Sequence, residues 1–163
     1  MKNVIAGLCL ALASGAAFAQ LPENDPAVAC GYLADEQLAA GGWQVDDEGV
    51  GRCASSPRVF GRESVGPLHQ LSYEARGDAD SAFALHVILD VNPPQALSDA
   101  NKAFLQAAQR LSTNALGKRL PSTISSAITN GREATAEVGS TQLIVSRHAP
   151  ESGSGYQMRF TVE

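Results

Sequence analysis

The sequence predicts an α+β fold: a single domain with an antiparallel sheet of about five to six strands, and one long and one or two short helices on one face. Three observations carry that expectation. Phe83, Leu85, Val87, Leu89 and Val91 alternate through one extended run, because successive strand side chains point to opposite faces. Ala100, Phe104, Ala107, Leu111 and Ala115 recur at three- and four-residue steps, which marks one stripe of a long helix. The remaining strand-like runs group on either side of the helices instead of alternating with them, as antiparallel sheets require.

Taken in order, the chain opens like a secretory signal. Lys2 supplies the charge, residues 4–13 are apolar, and Ala17-Phe18-Ala19 fits small-x-small cleavage before Gln20. A bilayer span needs about 20 apolar residues, so this run is too short to be one. Cys9 lies inside the apolar run after Leu8, which does not fit a lipidation site. The expectation is export to the bacterial periplasm, or secretion. Removal of residues 1–19 from the 163 leaves 144, the size of one domain with one core (20–163). In that mature chain 17 acidic residues face 11 basic ones, a net charge of −6. Such a balance argues against nucleic acid, which needs a basic stripe. No later run is apolar enough to span a membrane.

Cys30 and Cys53 then remain as an even pair in an oxidising compartment, and a disulfide is expected. It would close a loop worth about 3 kcal/mol in the chain-entropy model. Their spacing is far wider than the Cys-x-x-Cys of redox pairs.

Residues 20–29 read as a flexible lead-in with Pro22 and Pro26. Cys30, Leu33 and Leu38, with Ala34, Ala39 and Ala40, suggest a short helix ended by Gly41-Gly42, with Asp35 and Glu36 early in it where the helix dipole favours negative charge. Trp43-Gln44-Val45 and Val50-Gly51-Arg52 flank the acidic turn Asp46-Asp47-Glu48-Gly49 as a hairpin, which the disulfide would staple to that helix. Residues 54–67 form the longest irregular stretch, and long loops are often functional. Leu71, Tyr73 and Ala75 alternate into a turn at 77–80 and so pair with the central strand. Asn92-Pro93-Pro94 ends that strand. The long helix starts at Pro93 or at Ser98 and stops at Gly117. A second helix carries Ile124, Ala127 and Ile128. Two strands joined at Gly139-Ser140, a loop at 150–155, and a last strand through Tyr156, Met158, Phe160 and Val162 complete the chain. This order is loosely similar to small secretion-chaperone domains, a topological likeness that carries no function.

No stretch announces chemistry. His69, His86 and His148 lack metal-ligand spacing, and His86, on the second face of the central strand, reads as a hydrogen-bonded structural histidine. Serine-nucleophile motifs are missing, as is a nucleotide fingerprint after Gly49-Val50-Gly51. Asp78-x-Asp80 lacks the later ligands of a calcium loop. The expectation is therefore no catalytic residue, no metal and no cofactor. What remains is a non-catalytic module that binds another protein, of inhibitor, immunity or secretion-accessory type. The rival is a small-molecule or lipid-binding domain with its ligand between helix and sheet; a hydrolase using His69 or His148 is the weaker third. Aromatics and arginines dominate interface energetics, so Trp43, Arg52, Arg58, Phe60 and Arg62 form the candidate partner surface.

Overall fold

The computed structural model describes residues 21–149 and 155–163; the expected signal segment and most of the 150–155 loop lie outside them. The described residues form one antiparallel sheet with helices on one face. Its strands are β1 (Gln44–Val45), β2 (Gly51–Ala54), β3 (Arg58–Phe60), β4 (His69–Gly77), β5 (Ala82–Val91), β6 (Ala134–Val138), β7 (Thr141–His148) and β8 (Tyr156–Val162), and its helices are α1 (Pro26–Gly31), α2 (Leu97–Leu116) and α3 (Ser122–Thr129). The order across the sheet is β1-β2-β4-β5-β8-β7-β6, with β3 also paired to β4. This α+β architecture is the expected one, with eight strands instead of five to six. β1, two residues long, lies in the expected hairpin; the unexpected strand is β3, whose three residues are too few for alternation to show in a sequence.

The alternating run occupies the middle of the sheet, where β5 is bonded to β4 and to β8. Leu85, Val87, Leu89 and Val91 are buried under α2, but Phe83 is 50% exposed. The reason is a β-bulge: Arg76 pairs with Ala84 and Gly77 with Ala82, which leaves Phe83 as an extra residue. A bulge breaks the period of two, so Phe83 turns outward while Ala82 and Ala84 are both buried. Phe83 therefore lies outside the core although it belongs to the alternating run.

Over the sheet, Ala100, Phe104, Ala107, Leu111 and Ala115 all face inward, as the stripe predicts. Alanines let α2 lie close to the strands, while Phe104 and Leu111 fill the gaps. Each large side chain so buried contributes roughly 1.5–3 kcal/mol before entropy is counted. Gly117 takes a left-handed conformation (φ 61°) and its N–H closes the helix on Thr113. The helix begins at Leu97, with Ala96 as N-cap and no side chain capping it, so neither Pro93 nor Ser98 is its first boundary. Instead the corner is held from outside by His69. The backbone N–H of Asn92 donates to His69 Nδ1 (3.0 Å), so Nε2 carries the proton and donates to the Ala96 carbonyl (3.3 Å).

The first helix also starts earlier than expected. Asp25 is its N-cap, accepting from the N–H groups of Ala27 and Val28, and Pro26 takes the first turn, where its missing N–H costs nothing. Part of the stretch read as a lead-in is therefore helical, and Leu21 is buried. Only a 3-10 turn at Ala34–Glu36 follows. The stretch 54–67 is also more ordered than its composition suggests. β3 lies within it, and buried Gln95 ties its second half down by accepting from the N–H of Arg62 (2.9 Å) and donating to the carbonyls of Arg62 (2.7 Å) and Gly66 (3.0 Å).

Candidate functional site

The most site-like feature is built by residues 26–43, which lie as a cap over one edge of the sheet. Cys30 and Cys53 form the expected disulfide, with Cα atoms 5.9 Å apart, and join α1 to β2. Tyr73, fully buried in β4, donates its hydroxyl to the Ala29 carbonyl at 2.7 Å; burial pushes that phenol far above its usual pKa, so the donor stays protonated. Asn114 of α2 donates to the Tyr32 carbonyl (2.6 Å). Glu36 is the centre of the second attachment. It is only 7% exposed, receives Gln106 Nε2 on one oxygen (3.0 Å) and Arg110 Nε on the other (3.4 Å), and its carbonyl receives Arg58 Nη1 (3.1 Å). A buried carboxylate with fewer partners would be costly. Sequence reading placed Glu36 as a helix-dipole residue; the i, i+4 pair Gln106 and Arg110 on the polar side of α2 was the available signal for an acidic partner.

Beyond Glu36 the chain reverses at Gln37, in the left-handed region (φ 61°), and returns beside β2. Ala40 pairs with Ser55, and Gly41 N–H donates to the Ala54 carbonyl (3.1 Å). Trp43 is half-buried, donates Nε1 to the Asp78 carbonyl (3.1 Å) and lies across Gly51, where any Cβ would collide with its ring. Gly51 is therefore needed for lack of a side chain. Between α1 and the returning segment is a groove of about 330 Å³, walled by Ala27, Cys30, Gly31 and Ala34 on one side and residues 39–42 on the other, with Trp43 at its end. A Cβ added at Gly31, Gly41 or Gly42 meets nothing within 4 Å. The walls are thus apolar and low, and the space above them is free.

The five residues of the expected partner surface are not brought together. Trp43 sits at the Asp78 end of β4. Arg58 and Phe60 sit at the other end, where Phe60 tilts against the His69 ring at 5.4 Å and the Arg58 guanidinium lies 6.0 Å from the Phe60 ring. Gly51 pairs with Gly77 and Phe60 with His69, so these places are separated by eight residues of strand, about 27 Å. Arg52 pairs with Arg76 on the uncovered face of the sheet, opposite to Trp43. Arg62 is exposed, in the segment held by Gln95.

The histidines do not converge either. His69 is on the helix-covered face, 0% exposed, whereas His148 shares a row with Gln157, Asp90 and Gln70 on the other face. His86 is buried on the uncovered face, with Nδ1 3.0 Å from Thr161 Oγ1. Desolvation, helped by the nearby Arg159 and Arg76 charges, lowers its pKa to about 4, against a smaller opposing pull from Glu74. It is a neutral, structural histidine. Among the described residues no three His, Cys, Asp or Glu side chains are grouped to hold a metal ion.

One electrostatic feature was missed by counting charge over the whole chain. From residue 21 to residue 51 there are seven acids (Glu23, Asp25, Asp35, Glu36, Asp46, Asp47 and Glu48) and no Lys, Arg or His. The remainder, 52–163, holds 10 acids and 11 bases. The whole negative excess therefore sits in the segment that builds the groove. Among the described residues, Arg110 is the only cation in ion pairs with its carboxylates, through Asp35 and Glu36.

Comparisons with protein-family models, with curated proteins and with solved structures find no match for this chain.

Proposed function

We propose that the protein is an exported, non-catalytic binding module whose partner is another protein, engaged at the groove beside Trp43. The carrying observation is where free space lies. Beneath α2 the interior is filled by Phe104, Leu111, Leu85, Leu89 and Phe160, all 0% exposed, whereas the apolar groove of the cap is open. A filled interior does not favour a ligand held between helix and sheet. Export is supported by the Cys30–Cys53 disulfide, which persists in oxidising compartments, and by the leader-like residues 1–19. Among the described residues no helix is long and apolar enough to cross a membrane. Within this reading the protein is a periplasmic inhibitor, immunity factor or secretion accessory.

The test is affinity capture from a periplasmic extract of the host, read by mass spectrometry, with mature protein and a Gly42→Leu variant side by side. Gly42 has open space around it, so leucine there fills the groove without disturbing the fold. A partner retained by the native protein and lost by the variant is expected. The competing occupant is an apolar small molecule, since about 330 Å³ lies at the lower end of ligand-pocket volumes. A bound non-protein mass in native mass spectrometry, with no groove-dependent protein, would replace the first reading by that one.

A further inference from the structure

We infer that the groove takes a basic segment of the partner protein, with a lysine or arginine side chain laid along it; this rests on the protein-binding reading above and narrows it to a class of partner. The groove has two chemistries in succession. Its walls are methyl surface from Ala27, Ala34 and Ala40, without a charged group among the lining residues. Such walls suit the aliphatic stem of a long cationic side chain, which buries along apolar surface while its head stays in water. At the end stands Trp43, whose ring is the best of the aromatic faces for a cation. Carboxylates flank the groove along the chain: Asp25 caps the helix that forms one wall, and Asp46, Asp47 and Glu48 follow three residues after Trp43, in the turn between β1 and β2. All four are exposed, and no described Lys or Arg pairs with them. An apolar trough set in a segment with seven acids and no base is complementary to an amphipathic cation, and it disfavours an acidic occupant.

The protein contains a single tryptophan, so its fluorescence reports the groove directly. The probe is a set of three N-acetylated, C-amidated heptapeptides: Ala-Arg-Ala-Lys-Ala-Arg-Ala, its Gln-substituted neutral form and its Glu-substituted acidic form. The mature oxidised protein is titrated at low and at physiological salt. The basic peptide is expected to shift Trp43 emission saturably. Its dissociation constant should rise with salt, and it should weaken by roughly tenfold when Asp46, Asp47 and Glu48 are changed to Asn, Asn and Gln, as expected for loss of several exposed ion pairs. Gly42→Leu, checked for an unchanged urea midpoint, should abolish the response. Equal binding of basic and neutral peptides without salt dependence overturns the inference, as does basic-peptide binding that survives Gly42→Leu. Failure of all three peptides, while capture of a protein from the extract still depends on Gly42, overturns the basic class and leaves the protein-binding reading standing. If capture is independent of Gly42 as well, both fall.

Discussion

The body of residues 52–163, and the N-terminal segment 21–51 that carries the cap, are held in place by different forces. The body is stabilised by apolar burial: its strands and helix stripes contribute Leu71, Leu85, Leu89, Phe104, Ile124, Ile128, Leu143 and Phe160, all 0% exposed, and its charges nearly balance. The cap has a short helix of six residues, a large charge excess and few large apolar side chains, the buried ones being Leu21, Tyr32, Leu33 and Leu38. It is fastened by a disulfide and by individual hydrogen bonds from Tyr73, Asn114, Arg58, Gln106 and Arg110. A segment that keeps an apolar groove and a set of carboxylates open to solvent gives up burial of its own, so cross-links must substitute for it.

That contrast can be tested by the size and reach of substitutions. The largest effect belongs to the body. Phe104→Ala opens a cavity under α2 and should cost about 3–5 kcal/mol of global stability, measured as a drop in urea midpoint with both β5 and β7 amides losing hydrogen-exchange protection. Replacing both cysteines, Cys30→Ala with Cys53→Ala, should cost about 3 kcal/mol in the chain-entropy model. Here the loss of protection should concentrate in residues 26–45. Equal loss across β5, β7 and the cap would show that the two regions unfold as one unit and would remove the distinction.

A pH titration gives the next effect, and it acts on the body. The pKa of His86 is lowered to about 4 in the folded protein, against about 6.5 in an unfolded chain. Between those values the unfolded state binds the extra proton, so stability falls as pH drops from about 6.5 to about 4. The ceiling for such a shift is roughly 3 kcal/mol, and urea melts at pH 7, 5.5 and 4.5 should follow that slope. His86→Gln should flatten it; an unchanged slope would place the acid sensitivity elsewhere. Glu36→Ala is next, expected to cost roughly 1–3 kcal/mol because it removes the charge-assisted hydrogen bonds from Gln106 and Arg110. Its exchange signature should match that of the disulfide variant and not that of Phe104→Ala.

Much of the body was legible because burial imposes a period on the sequence. The α2 stripe from Ala100 to Ala115, the α3 positions Ile124 and Ile128, and the Gly139-Ser140 turn of the β6–β7 hairpin all occur where the pattern puts them. The pairing of Cys30 with Cys53 was legible by elimination. The polar fastenings were less so, because they leave no period: Glu36, Gln95 and His69 act through hydrogen bonds across 33 or more positions or to backbone groups, and nothing local in the sequence marks them. The groove was invisible for a related reason. Alanines and glycines at 27–42 read as a helix face and its stop, and only the reversal at Gln37 sets the two halves opposite each other. The charge asymmetry, by contrast, was present in the sequence and needed only to be counted by region.

The smallest effect tests the point where pattern and structure part within the body itself. By alternation alone Phe83 is equivalent to Leu85, two positions along the same strand. The bulge opposite Arg76 and Gly77 shifts it by one side of the sheet, leaving half of its surface in solvent. Phe83→Ser should therefore change stability by no more than about 0.5 kcal/mol, an order of magnitude below Phe104→Ala, although both remove the same ring. The comparison separates hydrophobicity from position: equal costs would mean that Phe83 is packed and the bulge misplaced. A near-zero cost would instead raise the question of why a strand keeps an exposed phenylalanine beside Ala82, whose N–H is bonded to the Asn24 carbonyl at the start of the cap (2.8 Å). The bulge itself suggests the answer. Ala82, paired with Gly77 across the bulge, is the residue whose N–H reaches Asn24, so the bulge and the attachment of the N-terminal segment share one place on β5.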